Sequence, residues 1–198
     1  MRRRRKRDES GTASDRPLGP VLARLPPSDR TCDDRFCGFG QTTTKSVAIS
    51  AGGDRAAITV ETIQFDARVE RGSATVHERV EDDGPSSTSP KWRAAARLVP
   101  LDGRLAWFGW SVAVRGDVPV VGRPTKSGPS YNNAVYAYRR NPSDGGWTEA
   151  ALLQPREGPT RGRSFGWSLS ISSDRTVAVG AKDDGGGLVY AFWPSPAG

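Results

Sequence analysis

Two stretches of the chain repeat one another and decide its fold: FGWSVAVRGDVPVVGRP at residues 108–124 and FGWSLSISSDRTVAVGAK at residues 165–182. Phe-Gly-Trp-Ser recurs after 57 residues, and Asp117 of the first stretch aligns with Asp174 of the second. In each stretch small or polar residues alternate with branched apolar ones, a short turn follows, and a second apolar run leads to a glycine. This alternation around a turn is typical of two β-strands joined as a hairpin.

The repeat continues on both sides of this hairpin. WRAAARLVP (92–100) and WTEAALLQP (147–155) precede the two stretches, whereas NNAVYAYRR (132–140) and GGLVYAFWP (186–194) follow them. A weaker third copy lies upstream in GFGQTTTKSVAISAGGDRAAITV (38–60), which keeps Phe-Gly, a Ser-Val-Ala-Ile run and an aspartate before an apolar strand. Segments that recur in the same order indicate repetition of one supersecondary unit.

Each unit contains four short segments that favour β-strands, counting the one that starts at the tryptophan. Four-stranded units that repeat every 50–60 residues are typical of propeller blades. The sequence therefore predicts an all-β fold, a partial β-propeller of about three four-stranded blades. The divisions are a disordered, basic, Pro/Arg-rich tail (1–37), a degenerate repeat 1 (38–91), repeat 2 (92–146) and repeat 3 (147–198).

Arg115-Gly116-Asp117 spells a tripeptide known as a cell-adhesion signal. The matching turn is SSDR (172–175) in the last copy and SAGGDR (50–55) in the first, so only the aspartate and the small residues before it recur. Glycine supplies unusual φ angles in turns, and aspartate bonds neighbouring backbone amides. We therefore predict a structural turn, with an adhesion ligand as the alternative that stays open.

The ordered pattern of Phe-Gly-x-Ser, an aspartate turn, an apolar strand ending in glycine and a later Val-Tyr pair resembles the FG-GAP repeat. This family builds the seven-bladed propeller of integrin alpha chains. The resemblance covers residues 38–198 and is strongest in 92–193. The sequence departs from the family where the Gly-Ala-Pro element is expected, since it has Gly122-Arg123-Pro124 in one copy and Gly180-Ala181-Lys182 in another.

The resemblance implies a non-enzymatic, adhesion-type module that binds a protein or a glycan, and that is part of a larger propeller or completes one by self-association. Family members are usually exported or on the cell surface. Here the basic start is followed by DESGTASDRP and not by an apolar segment, so no signal peptide is visible and no location is assigned. No apolar stretch approaches the length of a membrane span.

Integrin-type blades often carry a calcium loop in which acidic residues alternate with others. The nearest stretch is KDDGGG (182–187), where Asp183 and Asp184 are adjacent and cannot present spaced carboxylates. A glycine-rich, solvated loop is the expectation, and we expect neither a cofactor nor a metal. Cys32 and Cys37, with a single histidine in the chain, cannot form a four-ligand zinc site, and their spacing leaves a disulfide and free thiols equally open.

A catalytic constellation is not visible in the sequence. His77, the single histidine, has no serine or cysteine motif beside it, and Ser111 and Ser168 follow Phe-Gly-Trp and not a nucleophile elbow. The recurrence of the two serines predicts a structural role. We expect a chain that is not an enzyme, with an accessory propeller of a hydrolase or lyase, its catalytic part lying elsewhere, as an alternative.

The six tryptophans raise the alternative of a stacking site for carbohydrate. Four of them fall at equivalent positions of the repeat, which favours packing between blades: Trp92, Trp110, Trp147 and Trp167. Trp107 and Trp193 break the pattern and are the better candidates for exposure.

The net charge of +7 is concentrated at the N-terminus. Residues 1–30 hold nine Lys and Arg against four acidic residues, whereas the rest of the chain holds 20 against 18. The body is therefore nearly neutral, which argues against a nucleic-acid groove. An intracellular scaffold or nucleic-acid-associated protein that uses the basic tail is the remaining alternative.

Overall fold

The computed structural model describes residues 40–50, 55–64, 69–80, 91–125, 133–156, 164–182 and 186–194. These residues form strands and turns, and the all-β prediction is confirmed. In this part of the chain no helix is present that could cross a membrane. The predicted disordered tail, Cys32, Cys37, Asp183 and Asp184 lie outside the described residues.

Three antiparallel sheets follow one another along the chain, and in each of them consecutive strands are neighbours. Sheet 1 contains β1 (Gly40–Ile49), β2 (Arg55–Gln64), β3 (Val69–Val80) and β4 (Lys91–Leu98). Sheet 2 contains β5 (Ser111–Arg115), β6 (Val118–Arg123), β7 (Ala134–Arg140) and β8 (Trp147–Leu153). Sheet 3 contains β9 (Phe165–Ile171), β10 (Val177–Ala181) and β11 (Leu188–Phe192).

The sheets do not begin where the sequence repeats begin. Trp92 pairs with Arg79 and Trp147 pairs with Arg140, so each tryptophan strand closes the sheet of the preceding repeat. Sheets 1 and 2 thus take their fourth strands from the start of the following repeat. Sheet 3 has three strands among the described residues, not the four expected, because the tryptophan strand of its own repeat is β8 of sheet 2.

The sheets stack through their first strands. β5 contacts β1 on one side and β9 on the other, so sheet 2 lies between sheets 1 and 3. One apolar core fills the space between sheets 1 and 2, and a second fills the space between sheets 2 and 3. This arrangement is three consecutive blades of a partial β-propeller, with β1, β5 and β9 as the inner strands.

The repeated phenylalanine is the main wedge between neighbouring sheets. Phe108 and Phe165 are both fully buried. The Phe108 ring meets the Tyr136 ring edge-on with a centroid distance of 5.5 Å, and Phe165 meets Tyr190 in the same way at 5.3 Å. Such aromatic pairs contribute about 0.5–1.5 kcal/mol beyond the apolar area that they bury.

The repeated serine joins neighbouring sheets by hydrogen bonds. The Ser111 hydroxyl donates to the carbonyl of Gly166 in sheet 3 at 2.6 Å. The Ser46 hydroxyl of sheet 1 accepts a bond from the amide of Val112 in sheet 2 at 3.2 Å. The predicted structural role of Ser111 is therefore confirmed. A side chain at Gly122 would collide with the Ser111 hydroxyl and the Gly166 carbonyl, which explains why the strand opposite the serine carries glycine.

Candidate functional site

Arg115-Gly116-Asp117 is confirmed as a hairpin turn. Arg115, the last residue of β5, pairs with Val118, the first residue of β6, and only Gly116 and Asp117 lie between them. Gly116 has φ +53°, which a glycine adopts without the strain of a side chain. The Asp117 carbonyl accepts a hydrogen bond from the amide of Arg140 at 3.3 Å, so the turn is fixed to β7.

The corresponding turn of repeat 3 shows the predicted aspartate chemistry. The Asp174 carboxylate accepts hydrogen bonds from the Ser172 hydroxyl and from the amide and hydroxyl of Thr176, the last two at 3.1 Å. These bonds, led by the one from Ser172, lower the pKa of the exposed Asp174 carboxyl. Both aspartates are therefore parts of turns.

The residues considered for catalysis lie apart from one another in structural positions. His77 is buried in β3 of sheet 1, with 1% of its surface exposed. Ser111 bridges sheets 2 and 3. Within the described ranges no group of three His, Cys, Asp or Glu side chains is placed to hold a metal ion.

A groove along the inner strands carries the most distinctive side chains of the molecule. Its volume is about 430 Å³. It is lined by the repeated Trp-Ser-Val/Leu segments of sheets 2 and 3 together with Ser46 and Val47 of sheet 1. The lining thus combines indole rings, hydroxyls and aliphatic side chains at equivalent positions of neighbouring sheets.

Three indole rings form a stack of tilted rings, and two of them, Trp110 and Trp167, line this groove. The centroids of Trp107 and Trp110 are 5.1 Å apart with 49° between the planes, and those of Trp110 and Trp167 are 4.7 Å apart at 46°. The Lys182 ammonium lies 4.4 Å from the centroid of the Trp167 ring, within cation–π range. All three rings are half-buried, so each keeps part of its surface exposed.

The tryptophan predictions have different outcomes. Trp110 and Trp167 pack against each other across neighbouring sheets, and Trp147 packs against the core between sheets 1 and 2, which confirms the packing prediction for these three. Trp193 is 74% exposed, as predicted. Trp107 was expected to be exposed, but it is half-buried because it stacks on Trp110. The i, i+3 spacing of these two residues is the signal that the repeat alignment missed.

The backbone at Trp107 is unusual for a bulky residue. Its φ is +62°, and Ser164, at the same position of the next repeat, has φ +56°. The left-handed conformation therefore belongs to the repeat, where small residues tolerate it best. A tryptophan at such a position is retained against its conformational preference, at a cost of order 1–3 kcal/mol.

A polar network lies between sheet 2 and the loop before it, and it explains the departure Gly-Arg-Pro. The Arg123 guanidinium donates to the Tyr136 hydroxyl at 3.0 Å, and that hydroxyl donates to the Asp102 carboxylate at 3.0 Å. Arg123 and Tyr136 are buried. Burial raises the pKa of Tyr136 to about 12. The arginine thus serves as a structural partner of Tyr136.

A comparison with family models supports this description of the repeat. Residues 92–138 match the FG-GAP repeat, and the match extends from the tryptophan of β4 through the β5–β6 hairpin into β7. Searches of curated proteins and of solved structures found no match. The Phe-Gly wedge, the serine bridge and the glycine that faces it are the physical basis of the matched pattern. The chain therefore contains an FG-GAP repeat at residues 92–138.

Proposed function

We propose that this chain is a non-enzymatic, adhesion-type binding module that holds a protein or glycan ligand in the tryptophan groove. The observation that carries this proposal is the stack of Trp107, Trp110 and Trp167, of which Trp110 and Trp167 line a groove of about 430 Å³. Tryptophans provide large, rigid apolar surfaces with an N–H donor, and they are enriched among residues that dominate binding energy.

The stack is organised before any ligand arrives. Each ring contacts its neighbour in the stack, and the Lys182 ammonium lies over the Trp167 ring. Side chains that are already fixed lose little conformational entropy on binding. The serines beside the rings provide polar groups next to the apolar surface, which suits both a glycan and a protein loop.

The strained backbone of Trp107 supports a functional role for its ring. Ser164 shows that the repeat forms the same turn with a small residue. The turn itself therefore does not require a tryptophan, and the side chain contributes something other than the turn. Contact with a ligand beside Trp110, next to the groove, is the role that its position supports.

The non-enzymatic part of the proposal rests on what the polar residues do. The Ser111 hydroxyl is engaged with the Gly166 carbonyl, and His77 is buried in another sheet. A nucleophile needs a neighbouring base within hydrogen-bond reach, and these two groups are used elsewhere.

The test uses the full chain, a glycan array and an array of purified cell-surface proteins. Trp107→Gly removes the first ring and relieves the φ of +62°, and this relief offsets part of the lost contact with Trp110, so the fold should be retained. Ligands of the full chain should bind at least about tenfold more weakly to this variant, as expected for a loss of more than about 1.4 kcal/mol. Trp193→Ala, at an exposed position outside the groove, is the matched control and should bind normally.

Equal binding by Trp107→Gly and the unchanged chain would contradict the assignment of the ligand site to the tryptophan groove. A loss in both variants would indicate a different surface. Signals confined to the glycan array or to the protein array decide the ligand class.

A further inference from the structure

We propose that residues 20–27 of a second copy of this chain add to sheet 3 as its fourth strand, pairing with β11, and that the two copies complete one another reciprocally. The proposal is independent of the tryptophan groove. It concerns the two ends of the stack, namely the inner strand of sheet 1 and the outer strand and face of sheet 3.

The first observation is a further copy of the fourth-strand sequence. PVLARLPP (20–27) aligns with RAAARLVP (93–100) and with TEAALLQP (148–155). All three share an alanine at the fourth position, a leucine at the sixth and a proline at the eighth, and each is followed by the Phe-Gly of the next unit. Gly19 stands where the other two segments have tryptophan.

The two later segments have the same structural role. They lie in β4 and β8, the fourth strands of sheets 1 and 2. Leu98 pairs with Ala74 and Leu153 pairs with Val135, so the shared leucine faces the same register position of the third strand in both sheets. Leu25 is the corresponding leucine of the N-terminal segment.

Sheet 3 lacks such a strand in the described part of the chain. β11 is the end strand of the sheet and pairs with β10 alone. By register, Val189 of β11 is the counterpart of Val135, because Tyr190 faces Val179 as Tyr136 faces Val121. Val135 is fully buried, whereas Val189 is 76% exposed. An edge strand with unpaired backbone groups accepts an added strand, and an exposed apolar side chain favours one that covers it.

Inside the stack, two different sheet faces pack against each other. At the ends of the described stack, sheet 1 presents one of these faces and sheet 3 presents the other. Val112 and Val114 of β5 are each 6% exposed because they face sheet 1. Their counterparts in β1, Val47 and Ile49, are 64% and 61% exposed.

The outward face of sheet 3 provides the other half of this contact. Ser170 and Ala178 of sheet 3 occupy the register positions that Ala113 and Val120 occupy in sheet 2. In sheet 2 these two residues are covered by sheet 3. Sheet 1 has Ala48 at the first of these positions, and Ala48 packs against the core between sheets 1 and 2. A small residue at this position is therefore compatible with a covered face.

The order of the elements assigns the strand to a second copy. β4 belongs to sheet 1, and β5, the inner strand that follows it, packs on β1 of that same sheet. By the same rule residues 20–27 belong to the sheet that packs on the outward side of β1. Among the described residues sheet 2 separates sheet 1 from sheet 3, and sheet 3 is the sheet without a fourth strand, so we assign the strand to sheet 3 of a second copy. The described sheets of two copies number six, within the four to eight of closed propellers.

A cysteine pair at the proposed register provides the test. Leu25→Cys and Val189→Cys are introduced together into the full chain, with Cys32→Ser and Cys37→Ser to remove the natural thiols. Opposed residues of antiparallel strands lie about 4.5–5.5 Å apart between Cα atoms, which a disulfide can bridge. After mild oxidation, non-reducing electrophoresis should show a covalent dimer at twice 21.3 kDa.

Leu25→Cys with Leu101→Cys is the matched control, because Leu101 is 81% exposed in the loop after β4 and has no place in the proposed pairing. This pair should remain monomeric at the same protein concentration. Equal dimer yields from both pairs, or a disulfide within one chain of the test pair, would overturn the proposal. Circular dichroism of the reduced proteins shows that each variant is folded, so that a missing dimer also counts against it.

Discussion

Sheets 2 and 3 share one register but differ in their surroundings. In β5 the four residues Ser111–Val114 are all buried, whereas in β9 the equivalent residues of Ser168–Ile171 alternate between exposed and half-buried. Within the part of the chain that the structure describes, sheet 2 has a neighbour on both faces and sheet 3 has one. The comparison teaches that the sequence of a repeat determines its strands and turns, whereas the neighbouring sheets determine which of its residues become core.

The largest effect is expected at the wedge between sheets 1 and 2. Phe108→Ala removes a fully buried ring that contacts Tyr136 and Tyr138, and it should lower the free energy of unfolding by about 3–5 kcal/mol. Urea unfolding followed by tryptophan fluorescence measures the loss. Leu101→Ala, at an 81% exposed position of the loop after β4, is the control and should change stability by no more than about 0.5 kcal/mol. Similar losses in the two variants would contradict the claim that burial between the sheets determines the effect.

The buried phenol of sheet 2 should make stability depend on alkaline pH. The folded-state pKa of Tyr136 is about 12, against an ordinary value of 10.0, because of burial. A phenol with a raised folded-state pKa stabilises the fold fully below its unfolded-state value and loses this contribution as pH rises through the folded-state value. Stability should therefore fall between about pH 10 and pH 12, by on the order of 2 kcal/mol.

Tyr136→Phe is the variant that isolates this effect. It should be less stable at neutral pH, since Arg123 and Asp102 lose their partner, and its stability should fall less steeply above pH 10. Tyr190, the counterpart in sheet 3, is only half-buried and supplies the comparison between sheets. An unchanged slope in Tyr136→Phe would show that another group titrates.

The two strand glycines offer a matched pair with a smaller effect. A side chain at Gly122 would collide with the Ser111 hydroxyl and with the Gly166 backbone of the next sheet, whereas at Gly180 it would collide with the hydroxyl of Ser168 alone. The Ser168 side chain is exposed and can rotate away. Gly122→Ala should therefore cost about 1–3 kcal/mol, as overpacking does, and Gly180→Ala clearly less. Equal losses of thermal stability would indicate that the Gly166 backbone of sheet 3 does not restrict a side chain at Gly122.

The smallest effect is expected at the turn between β5 and β6. Arg115→Ala keeps Gly116, with its φ of +53°, and the bond from Arg140 to the Asp117 carbonyl. Stability should change by no more than about 0.5 kcal/mol, as for most surface substitutions. Adhesion of cells to immobilised protein should also be unchanged. A loss of adhesion with unchanged stability would restore the tripeptide as a ligand.

Much of the fold follows from local patterns, and the remainder depends on tertiary pairing. The alternation around Asp117 and Asp174 and the recurrence of Ser111 predicted the strands, the turns and the structural serine. The partner of the Trp92 strand was not predictable, because the sequence of the segment KWRAAARL does not indicate the strand with which it pairs. A repeat alignment therefore divides the sequence at Trp92 even though the sheet continues to Leu98.

The candidate site was predictable only in part. The recurrence of Trp110 and Trp167 indicated that they pack between sheets, but it did not indicate that they line an open groove. Trp107 was assigned to the exposed class because it lies outside the repeat period, and only the three-dimensional path of the turn places it on Trp110. The network of Arg123, Tyr136 and Asp102 joins residues from different elements, and the sequence shows Arg123 only as a departure from the family pattern.

The proposal that a second copy completes the stack of described sheets is tested most directly by the molar mass of the 198-residue chain in solution. Light scattering at micromolar concentration, with circular dichroism on the same sample, measures mass and folding together. We predict a folded species of twice 21.3 kDa. A folded species of 21.3 kDa at all concentrations would contradict the account, because the exposed Val47, Ile49 and Val189 would then be permanent surface.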